Sequence, residues 1–282
     1  MRKRISFISV LTMFLAIGFV IIFSRPVKAA ANGVQLKANR TYTAYDVTGD
    51  GMKDKIRIRA ANQTDDEAYT SLTVSVNGKT AYRLKNTRFY NVIANIYTLK
   101  NGQPFLYLYA PADNGDGPVC ALLKYTNGKF RKALDFTEIM AGYGNHRIGE
   151  VTNLNGNKIV ITESIVSYSL GINAINFTYK YVNGKFVPTS RYGSYKEIYS
   201  TDGSSRYFTV NSDLPAYARP GATAVNTTLK AGSLTKIIKC ALISGKMYIQ
   251  LECDGEIYWI KALENPPISD NERQFMEVRY AG

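Results

Sequence analysis

Five oxygen-bearing residues in Asp46-Val-Thr-Gly-Asp50-Gly-Met-Lys-Asp54 stand at a spacing that could do chemistry. Asp46, Asp50 and Asp54 occupy relative positions 1, 5 and 9, Thr48 brings a hydroxyl to position 3, and Met52 offers its main-chain carbonyl at position 7. Such a set can wrap one hard cation, because Ca²⁺ takes six to eight oxygens with little directional preference. Gly51 allows the sharp turn. The spacing is not that of a helix–loop–helix calcium site: position 12 is Arg57, where a bidentate Glu would be needed. Lys55-Ile-Arg-Ile-Arg59 follows at once with period two, so the loop opens a half-buried strand. The turn Asp113-Asn-Gly-Asp116-Gly117 lacks the spacing of a complete loop; it reads as a plain turn, or as extra ligands to the same or another ion.

Other reaction chemistry is sparse. The one histidine, His146, sits in the glycine-rich stretch Tyr143-Gly-Asn-His-Arg147 and reads as an exposed loop residue, with no nucleophile motif around it. Asp135, Glu138, Glu150 and Glu163 are the acids from which a glycosidase pair would have to come, since such a pair leaves no local signature. Non-catalytic action is the expectation. The cysteines are Cys120, Cys240 and Cys253, an odd count with no zinc or redox spacing. A two-residue turn at Ser244-Gly245 sets Cys240 opposite Ile249, which argues against a Cys240–Cys253 hairpin disulfide.

The elements that must position these residues are β-strands. Short runs rich in Tyr, Val, Ile, Thr and Phe are punctuated by Asn77-Gly78, Asn101-Gly102, Asn127-Gly128, Asn155-Gly156 and Asn183-Gly184. Both residues of such a pair accept the positive φ of a type I′ hairpin turn. Leu122-Leu-Lys-Tyr-Thr-Asn-Gly-Lys-Phe130 is echoed by Phe177-Thr-Tyr-Lys-Tyr-Val-Asn-Gly-Lys-Phe186, as in a repeated sheet unit. The expectation is an all-β chain of antiparallel hairpins, blade-like or stacked as a sandwich, with Lys132–Met140 as its one short helical candidate. Residues 33–192 form one domain on this reading and 196–282 another, divided where Gly193 and Ser194 interrupt the pattern after Pro188.

The acidic loop resembles the D-x-N/T-G-D-G-x-x-D loop of FG-GAP and VCBS-type repeats, and that resemblance implies a structural calcium ion stapling a turn of sheet. A second resemblance covers roughly 205–263. Leu214-Pro-Ala-Tyr-Ala-Arg-Pro-Gly221, Leu229-Lys-Ala-Gly232, Ser244-Gly-Lys-Met-Tyr-Ile-Gln-Leu251 and Asp254-Gly-Glu-Ile-Tyr-Trp-Ile-Lys261 follow one another as the motifs of bacterial SH3 domains do. It implies a C-terminal SH3-like barrel holding wall glycan or peptide, with Tyr217, Tyr248, Tyr258 and Trp259 clustered near its first loop and closing strand. Tyr258 stands where that family often has Gly, and the bulkier side chain narrows any groove there.

At the N-terminus, Arg2-Lys-Arg4, the apolar run Ile5–Phe23 and the small residues Ala29–Ala31 make residues 1–31 a signal peptide, or an uncleaved anchor of about bilayer length. Losing Arg2, Lys3, Arg4, Arg25 and Lys28 takes the net charge from +13 to +8. The remaining cations are scattered, which excludes a nucleic-acid patch and suits anionic partners outside a cell. The expected protein is secreted, wall-associated and of Gram-positive type, with Ca²⁺ as cofactor and peptidoglycan or an anionic wall polymer as partner. A structural or sensory surface protein is the alternative, and a wall or polysaccharide hydrolase a weaker one.

Overall fold

The computed structural model describes residues 33–112 and 116–280. The signal or anchor segment 1–31 and Asp113 lie outside them. All sheets are antiparallel, as the hairpin pattern predicts.

The chain opens with a short strand, β1 (Val34–Leu36), and then a meander of β2 (Thr41–Tyr45), β3 (Asp54–Gln63), β4 (Tyr69–Val76) and β5 (Lys79–Phe89). Next come β6 (Ile93–Thr98), β7 (Pro104–Ala110), β8 (Val119–Thr126) and β9 (Lys129–Asp135), which with β1 make a second sheet in the order β1-β6-β7-β8-β9. β10 (Gly144–Asn155), β11 (Lys158–Ser167), β12 (Gly171–Val182), β14 (Tyr192–Ser200), β19 (Leu234–Ile243), β20 (Lys246–Cys253) and β21 (Glu256–Lys261) follow in that order across a third, larger sheet. Short strands decorate it: β13 (Lys185–Pro188) on β12, β15 (Gly203–Ser204) on β14, and β16 (Tyr207–Thr209) on β19, while β17 (Leu214–Ala216) and β18 (Thr227–Leu229) pair with each other.

The three sheets stack, with the five-stranded one in the middle. One of its faces, with Leu36, Ala94, Ile96, Leu106, Leu108 and Leu123, packs on Ile56, Ile58, Leu72 and Val74 of the meander. The other face, with Tyr97, Phe105, Tyr107 and Leu122, packs on Val151, Ile161, Ile175 and Phe177 of the large sheet. A strand covered on both faces has no polar side to present, which is why Phe105–Ala110 is buried at every position. Each large apolar side chain so buried contributes about 1.5–3 kcal/mol.

Several expectations meet the structure directly. Asn77-Gly78, Asn127-Gly128 and Asn183-Gly184 each join a two-residue hairpin with positive φ at both residues. At Asn155-Gly156 the pair slips by one residue: Asn155 faces Lys158, and the turn is Gly156-Asn157. Cys240 faces Ile249, and all three cysteines are free. Lys132–Met140 is not a helix. Its first half belongs to β9, hydrogen-bonded to β8, and only Phe136–Glu138 turns, as a 3₁₀ segment capped by the Asp135 carboxylate. His146 is not a loop residue either; it lies in β10 at a bulge, with φ of 53° and its ring half-buried.

The division at 192–196 falls inside β14. That strand pairs with β12 on one side and β19 on the other, so one sheet runs from the first segment into the second. Gly193 is not a breaker: a Cβ there would stand 2.4 Å from Phe177 and 2.7 Å from Ile175, so the glycine admits a close approach inside a continuous strand.

Candidate functional site

The acidic loop joins β2 to β3. Asp50 is its exposed carboxylate and Asp46 is half-buried, while Asp54, the first residue of β3, is 1% exposed. The Asp46 carboxylate accepts from the Gly49 N–H at 2.6 Å, the Gly51 N–H at 2.8 Å and the Thr48 hydroxyl at 3.2 Å. Desolvation, the largest single influence, pushes its pKa up, but these hydrogen bonds, with one from the Asp50 N–H, together outweigh it and hold the group below the usual carboxylate range. Asp50 accepts from the Met52 N–H at 2.8 Å.

Asp54 does something different. Its Oδ2 accepts from the Val47 and Thr48 N–H groups at 2.7 and 2.9 Å, and its Oδ1 from the Asn77 side-chain amide at 2.6 Å and the Thr48 hydroxyl at 3.3 Å. Asn77 belongs to the β4–β5 turn and also accepts from the Lys55 N–H, so Asp54 ties the loop to a neighbouring hairpin. Sequence spacing holds no signal for this role of Asn77.

Thr48 Oγ1 lies 3.2 Å from Asp46 Oδ1 and 3.3 Å from Asp54 Oδ1, yet its single proton serves one of them at a time. Three oxygens from three residues thus converge on one another. Asp50 is turned toward Met52, and among the described residues no three His, Cys, Asp or Glu side chains gather as a metal cluster. Asp116 is engaged elsewhere, 3.4 Å from His146 Nδ1 without hydrogen-bond geometry. An open cleft of about 440 Å³ beside the loop is lined by Tyr45, Asp46, Gly49, Thr98, Gln103 and Pro104.

Of the four aromatic candidates, three meet. Tyr217, Tyr248 and Trp259 pack with Ala241 in a small cluster of their own, with exposures of 6%, 5% and 5%. Mutual main-chain hydrogen bonds between Tyr217 and Trp259, 2.7 and 2.9 Å, fix the loop that carries Tyr217 against β21. Tyr258 does not join them. Successive residues of a strand point to opposite faces, and Tyr258 packs against the main core.

Register explains what surrounds the cluster. Ser194, Lys239, Gln250 and Trp259 are paired in one row across β14, β19, β20 and β21, and Tyr192, Ala241, Tyr248 and Lys261 in the next. Tyr192, 38% exposed, brings its ring to 5.9 Å from that of Trp259. Lys239 Nζ stands 4.6 Å from the centre of the Tyr192 ring and 5.9 Å from that of Trp259, the Arg191 guanidinium 5.5 Å from Tyr192, and Lys261 Nζ 5.1 Å from Tyr217. Tyr192 and Lys239 were invisible as site residues in sequence, because only cross-strand register brings them to Trp259, and Arg191 comes with its neighbour Tyr192.

Burial pushes the Cys120 and Cys240 thiols up to about 12, and each S–H donates to a main-chain carbonyl. No family model, no curated protein and no solved structure matches the chain.

Proposed function

We propose that this is a non-catalytic extracellular binding protein of a Gram-positive-type cell, which attaches to wall glycan or peptide through the segment 196–282. The observation that carries this reading is the Tyr217–Tyr248–Trp259 cluster. It forms apart from the two large cores, on the outer side of β19–β21 beneath the loop that carries Tyr217, with Lys239 5.9 Å from the Trp259 ring and Lys261 5.1 Å from that of Tyr217. The SH3-like reading of this segment draws support from the β19-β20-β21 meander and from the Val210–Phe275 and Tyr217–Trp259 bridges that tie the remaining chain back to it. The test is co-sedimentation of residues 32–282 with purified cell walls at low and high salt. Retention at high salt is expected; retention at low salt alone would leave only the charge of +8 and overturn specific binding.

A second reading, a structural or sensory surface protein, is favoured by exposures of only 5–6% for the three clustered rings and by the sheet that continues through β14. Absence of wall retention by a folded protein would select it.

In this proposal the loop 46–54 holds Ca²⁺ through Asp46, Thr48, Asp50, Asp54 and the Met52 carbonyl, and the ion cross-links the turn. The convergence of Asp46, Thr48 and Asp54 oxygens supports it. Calcium at 100 times its dissociation constant would add about 2.7 kcal/mol, and Asp50→Ala is expected to abolish that increment. Equal melting of wild type in calcium and in chelator would remove the ion from the account.

A further inference from the structure

We infer that the outer face of β14, β19, β20 and β21 binds an anionic polysaccharide; the inference rests on the wall-binding reading and names the chemistry of its ligand. Four cations on this side of the large sheet, Arg191, Lys236, Lys239 and Lys261, form no ion pair among the described residues, with Glu252 set opposite Lys236 across β19 and β20. Each stands instead over an aromatic ring, Lys236 over Tyr207 at 5.9 Å and the others as given above. A ring attracts a cation through its quadrupole but takes none of its hydrogen bonds. The ammonium and guanidinium groups are therefore held in place with their N–H donors still to be satisfied.

That arrangement lowers the cost of binding an anion. A free surface lysine loses much side-chain entropy when it pairs, whereas Lys239, half-buried between Tyr192 and Trp259, has already lost part of it. Lys236 and Lys239 lie on β19, Lys261 on β21 beyond β20, and Arg191 just ahead of β14, so spread across the sheet they meet several charges of an extended polymer rather than one compact ion. Ser194 and Gln250 share the row with Lys239 and Trp259, and both present neutral donors and acceptors suited to sugar hydroxyls.

The same details disfavour single-stranded nucleic acid. Such a strand is held by bases stacked on free ring faces. Here Trp259 is 5% exposed and the Tyr192 ring is shared by two cations. Tyr207, Leu234 and Ile257 are exposed beside Lys236, so an anionic lipid surface is the competing ligand and stands as an arm of the test.

The experiment measures binding of residues 32–282, which contain all three sheets, to dextran sulfate and to polygalacturonate at about 0.15 M salt, with neutral dextran as reference. Both anionic polymers are expected to bind and neutral dextran not to. Lys239→Met is expected to weaken binding about tenfold, since a charge-assisted contact is lost. Lys79→Met, an exposed lysine of β5, is expected to change it less than twofold, and circular dichroism checks that each variant is folded. Equal effects of the two substitutions would overturn the assignment in favour of diffuse charge, and so would tighter binding of single-stranded DNA or of anionic vesicles. Wall retention that persists in Lys239→Met would sink the anionic-polymer inference while leaving the wall reading standing. Loss of wall retention in wild type would sink the wall reading itself.

Discussion

Asp54→Ala should destabilise the protein by about 3–4 kcal/mol in chelator, and in calcium by the calcium increment as well. The substitution removes the acceptor for the Val47 and Thr48 N–H groups and the Asn77 amide, and the first two lie against a residue that is 1% exposed. Each buried donor left without a partner costs about 1–3 kcal/mol, and the losses add incompletely because the loop relaxes as one unit. For a chain of this size the melting temperature should fall by about 6–15 °C. Asp54→Asn is the informative partner. It keeps the shape and one acceptor oxygen but sets an amide donor against other donors, so it should recover only part of the loss. The contrast with Asp50→Ala separates two roles of one loop. Asp50 accepts a single hydrogen bond, from Met52, and its removal should touch only a calcium-dependent increment. If Asp54→Ala melts like wild type in chelator, Asp54 is a metal ligand and not the peg that holds the loop to the β4–β5 turn.

The turns of this fold were legible because their chemistry is local. Asn77-Gly78, Asn127-Gly128 and Asn183-Gly184 sit where positive φ is required at two successive residues, and Asn followed by Gly is the cheapest way to meet that demand. Alternation in Lys55–Arg59 gave the correct strand because only one face of β3 is buried. The stacking of three layers was harder to see. Its signal was the unbroken apolar run from Phe105 to Ala110, whose meaning depends on a sheet that forms more than thirty residues later. Gly193 misled for a related reason. In sequence a glycine beside a serine reads as a break, whereas in the fold it is the place where Phe177 needs room. The candidate site divides in the same way. Spacing along the chain picked out Asp46 to Asp54, and the order of the motifs picked out Tyr217, Tyr248 and Trp259. Cross-strand register alone adds Tyr192 and Lys239, and it sends Tyr258 to the opposite face.

Glu163 supplies the second large effect, with the opposite sign from Asp54. Along β11 the inward row reads Ile159, Ile161, Glu163, Ile165, which puts a carboxyl between the large sheet and the middle one. It is 0% exposed, and neither oxygen has a hydrogen-bond partner. Gly149 faces it across the strand pair, where a Cβ would stand 2.3 Å from Glu163 Oε1 and 1.9 Å from the Phe136 ring, so the pocket closes tightly over the group. Burial drives its pKa well above the ordinary value; the charge of Arg147 opposes the shift and that of Asp135 adds to it. The folded state therefore holds a proton that the unfolded chain releases near pH 4.3, and the stability this proton confers is complete below that pH. It is lost as pH rises toward the folded-state value, at up to about 1.4 kcal/mol per unit. Glu163→Met, which fills similar volume without a proton to lose, should remove this slope. The difference in stability between Glu163→Met and wild type, measured by denaturant titration from pH 4 to 8, should grow in favour of the variant as pH rises and level off once wild-type Glu163 ionises. Glu163→Gln should show the same flattening with a smaller gain, because its amide is buried without a partner. A difference that stays constant across this range would mean that Glu163 is ionised in the folded protein throughout, and that Arg147, not burial, sets its charge.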